Sequence, residues 1–217
     1  MRREALVVVV VAVLAVAALV VGAWLYRGGS GESGAGGGAP VADASRLVRP
    51  DSPSKGPRDA PVTIVEFLDP ECEACRAMYP AVERVLAEHP GQIRLVVRYV
   101  PLHANSTLAA SALEAAGEQG RYWEMLEALF AHQPVWGDHR QPRPELIPEI
   151  ARQVGLDMAA FQPSFEGIKH RAKVHRDLED AQALGVRGTP TFYVNGRLLE
   201  RLGYEPLKAL VEEELAR

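Results

Sequence analysis

Cys72 and Cys75 are the only cysteines in this 217-residue chain. The Cys72-Glu73-Ala74-Cys75 run can close a small disulfide ring with no competing sulfur. Thiol–disulfide exchange runs through thiolate attack and a mixed disulfide. A cysteine at a helix start ionises readily, because unpaired backbone N–H groups and the helix dipole face it. The pair therefore suits dithiol redox chemistry. Two blander readings compete. A structural disulfide closing so short a ring would restrain little of the unfolded chain. A structural zinc site needs four ligands, and there is no second cysteine pair. The histidines His89, His103, His132, His139, His170 and His175 are scattered, without zinc-finger spacing, so no metal site is expected. Use of the same thiols for Cu(I) delivery or client binding stays open as a different class of function.

Such a pair needs a strand before it and a helix after it. Val62–Leu68 is an apolar run that reads as a buried strand. Residues 72–88 carry Cys75, Met78, Tyr79, Val82, Val85 and Leu86 at helical spacing; Pro80 should kink that helix and His89-Pro90-Gly91 should end it. Ile93–Val100 reads as a second strand, placed near a sheet edge by Arg94 and Arg98, and completes a βαβ unit. A helical block follows. Asn105 or Ser106 caps a helix running through Ala116, and Arg121–Phe130 forms the next. Gln133–Arg143 reads as a surface loop, and Pro144 opens a helix over Glu145–Val154 that Gly155 closes. Asp157 caps a short turn. Phe165–Leu184 is expected as one long helix with Phe165, Ile168, Ala172, His175 and Leu178 inward. His175 is thus expected in the core and His103 at the surface. Thr191–Val194, the Asn195-Gly196 turn and Arg197–Leu199 read as a hairpin. A last helix from Glu205-Pro206 buries Leu207, Leu210, Val211 and Leu215. The order βαβ, helices, ββα is an α/β fold.

The amino-terminal end is different in kind. Ala5–Tyr26 holds 22 residues without a charge, spanning roughly 33 Å as a helix, enough for a bilayer core. Arg2 and Arg3 precede it, so residues 1–4 are expected in the cytoplasm and the rest beyond the membrane. A cleaved signal peptide, with Val21-Gly22-Ala23 as its small-residue site, is the competing reading; the apolar run is long for one. Both place the domain in an oxidising compartment, where a dithiol pair can work as a disulfide. Residues 27–60, half Gly, Pro or Ser, read as a flexible tether. That leaves residues 61–217 as one domain, with a helical insertion over about 103–185. A net charge of -4, with no basic stripe, argues against a nucleic-acid partner.

Three pieces together resemble the DsbA-like family of thioredoxin-fold thiol:disulfide oxidoreductases. They are Val65-Glu66-Phe67-x-x-x-x-Cys72-x-x-Cys75, the helical block, and Gly188-Thr189-Pro190-Thr191-Phe192. The resemblance covers residues 61–217 and implies a thioredoxin-like fold with an inserted helical block. It also implies a cis peptide bond at Pro190 beside the dithiol, and a buried acid at Glu66, six residues before the first cysteine. In this picture Cys72 is the attacking sulfur and Cys75, one turn in, resolves the mixed disulfide. Glu66 lies between apolar Ile64 and Leu68; a buried carboxyl there rises in pKa and can relay a proton to Cys75, the alternative being an acid at the strand's solvent margin. Thr189 would offer its backbone N–H and C=O to an extended client, where the alternative is an ordinary trans proline opening a strand.

The direction of electron flow is the finer question. Asp69, Glu71 and Glu73 crowd the dithiol with negative charge, whereas the helix start and Arg76 favour a thiolate. Glu73-Ala74 also departs from the Pro-His of the strongly oxidising family type. The expectation is an oxidase that passes the Cys72–Cys75 disulfide, its only redox group and sole cofactor, to reduced cysteines of exported proteins. A membrane partner coupled to quinone or a similar acceptor would recycle it. A reductase, for instance in cytochrome c maturation, is the alternative. The helical insertion suits an oxidase, and the isomerases of this fold carry a separate dimerisation domain that is not expected here; a monomer is expected.

Overall fold

The computed structural model describes residues 37–41 and 43–217. The expected membrane anchor at residues 5–26 lies outside the described residues. Among those described, no helix is long and apolar enough to cross a membrane. One six-stranded sheet is formed by β1 (Gly37–Pro40), β2 (Ser54–Lys55), β3 (Val62–Leu68), β4 (Ile93–Tyr99), β5 (Thr191–Val194) and β6 (Arg197–Leu199), in the order β1-β6-β5-β3-β4-β2. β3 and β4 are parallel, with Val62 opposite Ile93 and Leu68 opposite Tyr99, while β3 and β5 are antiparallel, with Glu66 opposite Phe192. The seven helices among the described residues are α1 (Glu73–Glu88), α2 (Ser106–Gly117), α3 (Tyr122–Trp136), α4 (Ile147–Val154), α5 (Met158–Glu166), α6 (Ile168–Ala183) and α7 (Tyr204–Leu215).

Alternation along β3 divides the core. Val62 and Ile64 point to one face, where Met78, Val82 and Val85 of α1 and Leu207, Leu210 and Val211 of α7 cover them. Val65 and Phe67 point to the other, beneath Ala181 of α6 and Leu47. A second core lies within the helical block, centred on the alanine-rich α2, whose Ala109, Ala110, Ala112, Leu113, Ala115 and Ala116 are all buried. Small side chains let α3, α5 and α6 pack closely round it. The Asn195-Gly196 hairpin turn has both residues at positive φ, as such a turn requires.

Several sequence-based expectations are corrected. The tether over 27–60 is too long: β1 pairs with β6, β2 adds to β4, and Leu47 is buried. Arg46 and Arg49 bind Asp180. The packed unit thus starts well before residue 61. Backbone pairing at a sheet edge needs no large side chains, so a Gly- and Pro-rich composition does not preclude it. Gly56, at φ 94°, sits where a Cβ would lie 2.2 Å from the Ile93 carbonyl oxygen, and so lets the β2 segment approach β4.

β4 lies next to the short edge strand β2, near an edge as expected, but Arg98 itself is enclosed, covered on its face by Asp177 and Asp180 of α6 and by the Leu47 carbonyl. The expected 165–184 helix is two helices broken at Gly167. That break rotates the inward face: Ile168 is 83% exposed and His175 is exposed, while His170, Lys173, Val174, Asp177, Asp180 and Ala181 face in. The expected 133–143 loop gives up Gln133–Trp136 to α3, and both Gln133 and Trp136 are buried.

Candidate active site

Cys72 is the residue that starts α1. Its backbone is extended (φ -76°, ψ 124°), and its carbonyl accepts from the Arg76 N–H as the first turn closes. Both cysteines are free thiols in this structure. Cys72 keeps 8% of its surface open, whereas Cys75, one turn on, has none. Across the site the chain enters β5 through a cis Thr189–Pro190 peptide bond. The Cys72 Sγ lies 3.4 Å from the Thr189 carbonyl oxygen. Folding therefore brings together Cys72, Cys75, Thr189 and Pro190 from positions more than a hundred residues apart in sequence.

The two sulfurs are pulled in opposite directions. The Cys75 thiol donating to Cys72 Sγ is the main influence lowering Cys72; partial burial works against it. The backbone N–H groups of Cys75 and Ala74 add to the lowering, which brings Cys72 to about 5. Burial pushes the Cys75 thiol far up, reinforced by its hydrogen bond to Cys72 and by the charge of Glu66. Glu66 lies on the β3 face beneath α1, with 4% of its surface exposed. Burial first, and then the charges of Cys72 and Glu83, raise its carboxyl to about 8. A neutral carboxylic acid thus sits in the electrostatic reach of the buried thiol.

The acids just before the dithiol are used differently from the expectation. Asp69 and Glu71 are buried and bound. Asp69 Oδ1 accepts from the Glu71 N–H, and its Oδ2 accepts from the Leu102 N–H and the His103 Nδ1. Glu71 accepts from the Asn105 N–H and side-chain amide and from the Ser106 hydroxyl. Gln133, placed in a loop by the sequence pattern, donates from α3 to the carbonyls of Pro70 and Cys72. These bonds fasten the 69–72 loop to the helical block. Their negative charge is spent on local donors, leaving Glu73, which contacts His139, as the exposed acid beside Cys72. The role of Gln133 had a sequence signal in the buried side of α3: Met125, Leu126, Leu129, Phe130 and Gln133 recur at three and four.

His103 is half-buried at the site, not simply on the surface, and its ring stacks on that of His139 at 4.9 Å between centroids. The other four histidines lie elsewhere.

Comparison with known proteins follows the same outline. A family model described as thioredoxin matches residues 49–213. A thioredoxin-like oxidoreductase from Silicibacter pomeroyi DSS-3 is 30% identical, with a TM-score of 0.70, covering 81% of this chain and 99% of that one. BdbD from Bacillus subtilis, in its oxidised form, is 26% identical, with a TM-score of 0.70 over 83% of this chain and 98% of the other. The Na(+)/H(+) antiporter NhaA 3 of Salinispora tropica is 39% identical over 146 residues, 66% of this chain and 21% of that protein. The chain spans about a fifth of the length of the curated relatives it matches.

Proposed function

The chain belongs to the thioredoxin family as a DsbA-like thiol:disulfide oxidoreductase, and from that premise we propose that it donates its Cys72–Cys75 disulfide to reduced cysteines of exported proteins. One observation carries the reading: the sulfur that begins α1 faces the Thr189 carbonyl at 3.4 Å, while its partner is enclosed beneath it. A client thiolate attacks Cys72 Sγ, the bond to Cys75 breaks, and Cys75 leaves with the electron pair. That leaving sulfur needs a proton, since burial disfavours its thiolate. Glu66, neutral below about pH 8, supplies it. A second client thiolate then attacks the client sulfur of the mixed disulfide and releases Cys72 as a thiolate. Two electrons have passed from client to enzyme. Thr189 and Pro190 align the client chain beside the sulfur through the Thr189 backbone.

Stabilisation of the Cys72 thiolate supports the donating direction, because a stabilised reduced form makes the disulfide a stronger oxidant. The domain would act outside the cytoplasm, held by residues 5–26, as a monomer with no cofactor beyond its disulfide. A membrane oxidant would recycle it. Equilibration of the full-length protein with glutathione tests the direction. A potential well above about -200 mV, with transfer of the disulfide to a reduced client, supports the proposal; a value near -270 mV makes the protein a reductase.

A further inference from the structure

Two of the scattered histidines and one acid meet on the rim of the dithiol. His139 Nε2 lies 2.9 Å from Glu73 Oε1, and the His103 ring stacks on His139. One ligand atom from each of Glu73, His103 and His139 lies within 4.8 Å of the others. We propose that Glu73, His103 and His139 form a binding site for a zinc-class divalent cation, separate from the cysteine sulfurs.

The donor set is the first argument. Two imidazoles and one carboxylate match the ligands of open zinc sites, which leave a fourth position to water or an incoming group. Nitrogen and oxygen donors of this kind select zinc, cobalt, nickel or copper(II) over magnesium or calcium. The second argument is independent of the cluster's composition. Asp69 is wholly buried and already accepts from two backbone N–H groups, so it is an acceptor towards His103. In the neutral ring His103 Nδ1 therefore carries the hydrogen of the 2.7 Å contact, and Nε2 keeps a lone pair. A carboxylate behind a ligating histidine is the usual device that sets ring orientation and tautomer.

Geometry permits closure. Two ligands at about 2.1 Å from a tetrahedral centre are about 3.4 Å apart. The present spread of up to 4.8 Å closes by rotation of the exposed His139 and Glu73 side chains, while His103 stays anchored. Glu73 and His139 line an open recess of about 330 Å³, with room for the water of the fourth position. Glu73 directly follows Cys72 in the chain, so a cation held here would stand at the approach to the reactive sulfur.

Cobalt(II), a spectroscopic substitute for zinc, is the probe. The full-length chain is first oxidised, so that neither thiol can ligate, and then titrated with cobalt(II) and, in competition, with zinc. The expected result is 1:1 binding with visible d–d bands of low-symmetry cobalt and no sulfur-to-cobalt charge transfer. His139→Ala and, separately, Glu73→Gln should each weaken it at least tenfold, with circular dichroism unchanged. Three results overturn the proposal. One is no saturable binding by the oxidised chain; another is binding unaffected by either substitution. The third is binding confined to the reduced chain, with sulfur charge transfer that Cys72→Ser removes.

Discussion

Two buried ionisable groupings lie on opposite faces of the same sheet, and they differ in compensation. On the α6 side, Arg98 is enclosed together with Asp177 and Asp180. Its guanidinium donates to both carboxylates at 2.7–3.0 Å and to the carbonyls of Arg46 and Leu47, and Arg49 reaches Asp180 from outside. On the α1 side, Glu66 is equally enclosed, yet it makes no hydrogen bond or ion pair among the described residues. Burial is common to both. In the first grouping each charge has a partner and each Arg98 donor an acceptor. The second gives up charge instead, as the raised Glu66 and Cys75 show. The raised carboxyl and thiol sit in the second, and that is where the sulfur chemistry is. A buried polar residue is informative about function when its charge is left uncompensated.

The comparison breaks outright if sulfur 72 is dispensable. Cys72→Ser should reduce disulfide transfer to background, while Cys75→Ser, offered a client disulfide that the Cys72 thiolate can attack, should accumulate client-linked species that a reductant releases, seen on non-reducing gels. The next largest effect falls on the compensated face. Arg98→Met leaves Asp177 and Asp180 buried without their shared cation, and should cost about 3–5 kcal/mol of stability by urea denaturation. The titration of Cys72 should stay where it is in that variant. A shift there would mean that the two groupings are not independent.

Glu66→Gln sharpens the contrast from the other side. Loss of the proton donor should slow formation of the mixed disulfide, the step in which Cys75 leaves, by about 100-fold at neutral pH, read by stopped-flow quenching. The same variant tests the linkage. The folded carboxyl, raised to about 8, keeps a proton that the unfolded chain releases near 4.5. Stability of the parent should therefore fall as pH rises from about 4.5 to 8. The Gln variant should lack that slope. The smallest effect is a curve shape: alkylation of the reduced protein at Cys72 should reach half its plateau rate near pH 5. Because this thiol is depressed from 9.0, the thiolate's contribution to the reduced fold is complete above pH 9 and is lost as pH falls through 5. A midpoint near 9 would remove the distinction between the two sulfurs.

Much of this fold is legible in short stretches of chain. The limits of β3 follow from an apolar run, α1 from three-and-four spacing, and the hairpin from Asn195-Gly196. The misreadings share one cause. The inward face of α6 is misplaced because Lys173, Asp177 and Asp180 look like a solvated stripe until Arg98, 79 residues before Asp177, is seen to lie beneath them. Arg46, Leu47 and Arg49 look like parts of a tether until Asp180 and the sheet receive them. Asp69 and Glu71 look like charge repelling a thiolate until the donors of Leu102, His103 and Asn105 arrive.

The amino-acid order alone determined the local periods and the chemical repertoire: two sulfurs one helical turn apart, a strand before them, and an acid within that strand. Only the tertiary structure decided which charges are neutralised, which carboxyl stays protonated, and that His103 and His139 share a rim with Glu73. The physical reason is range. Helical and strand periods arise between neighbours a few residues apart, whereas ionisation depends on desolvation and on partners that long-range packing delivers.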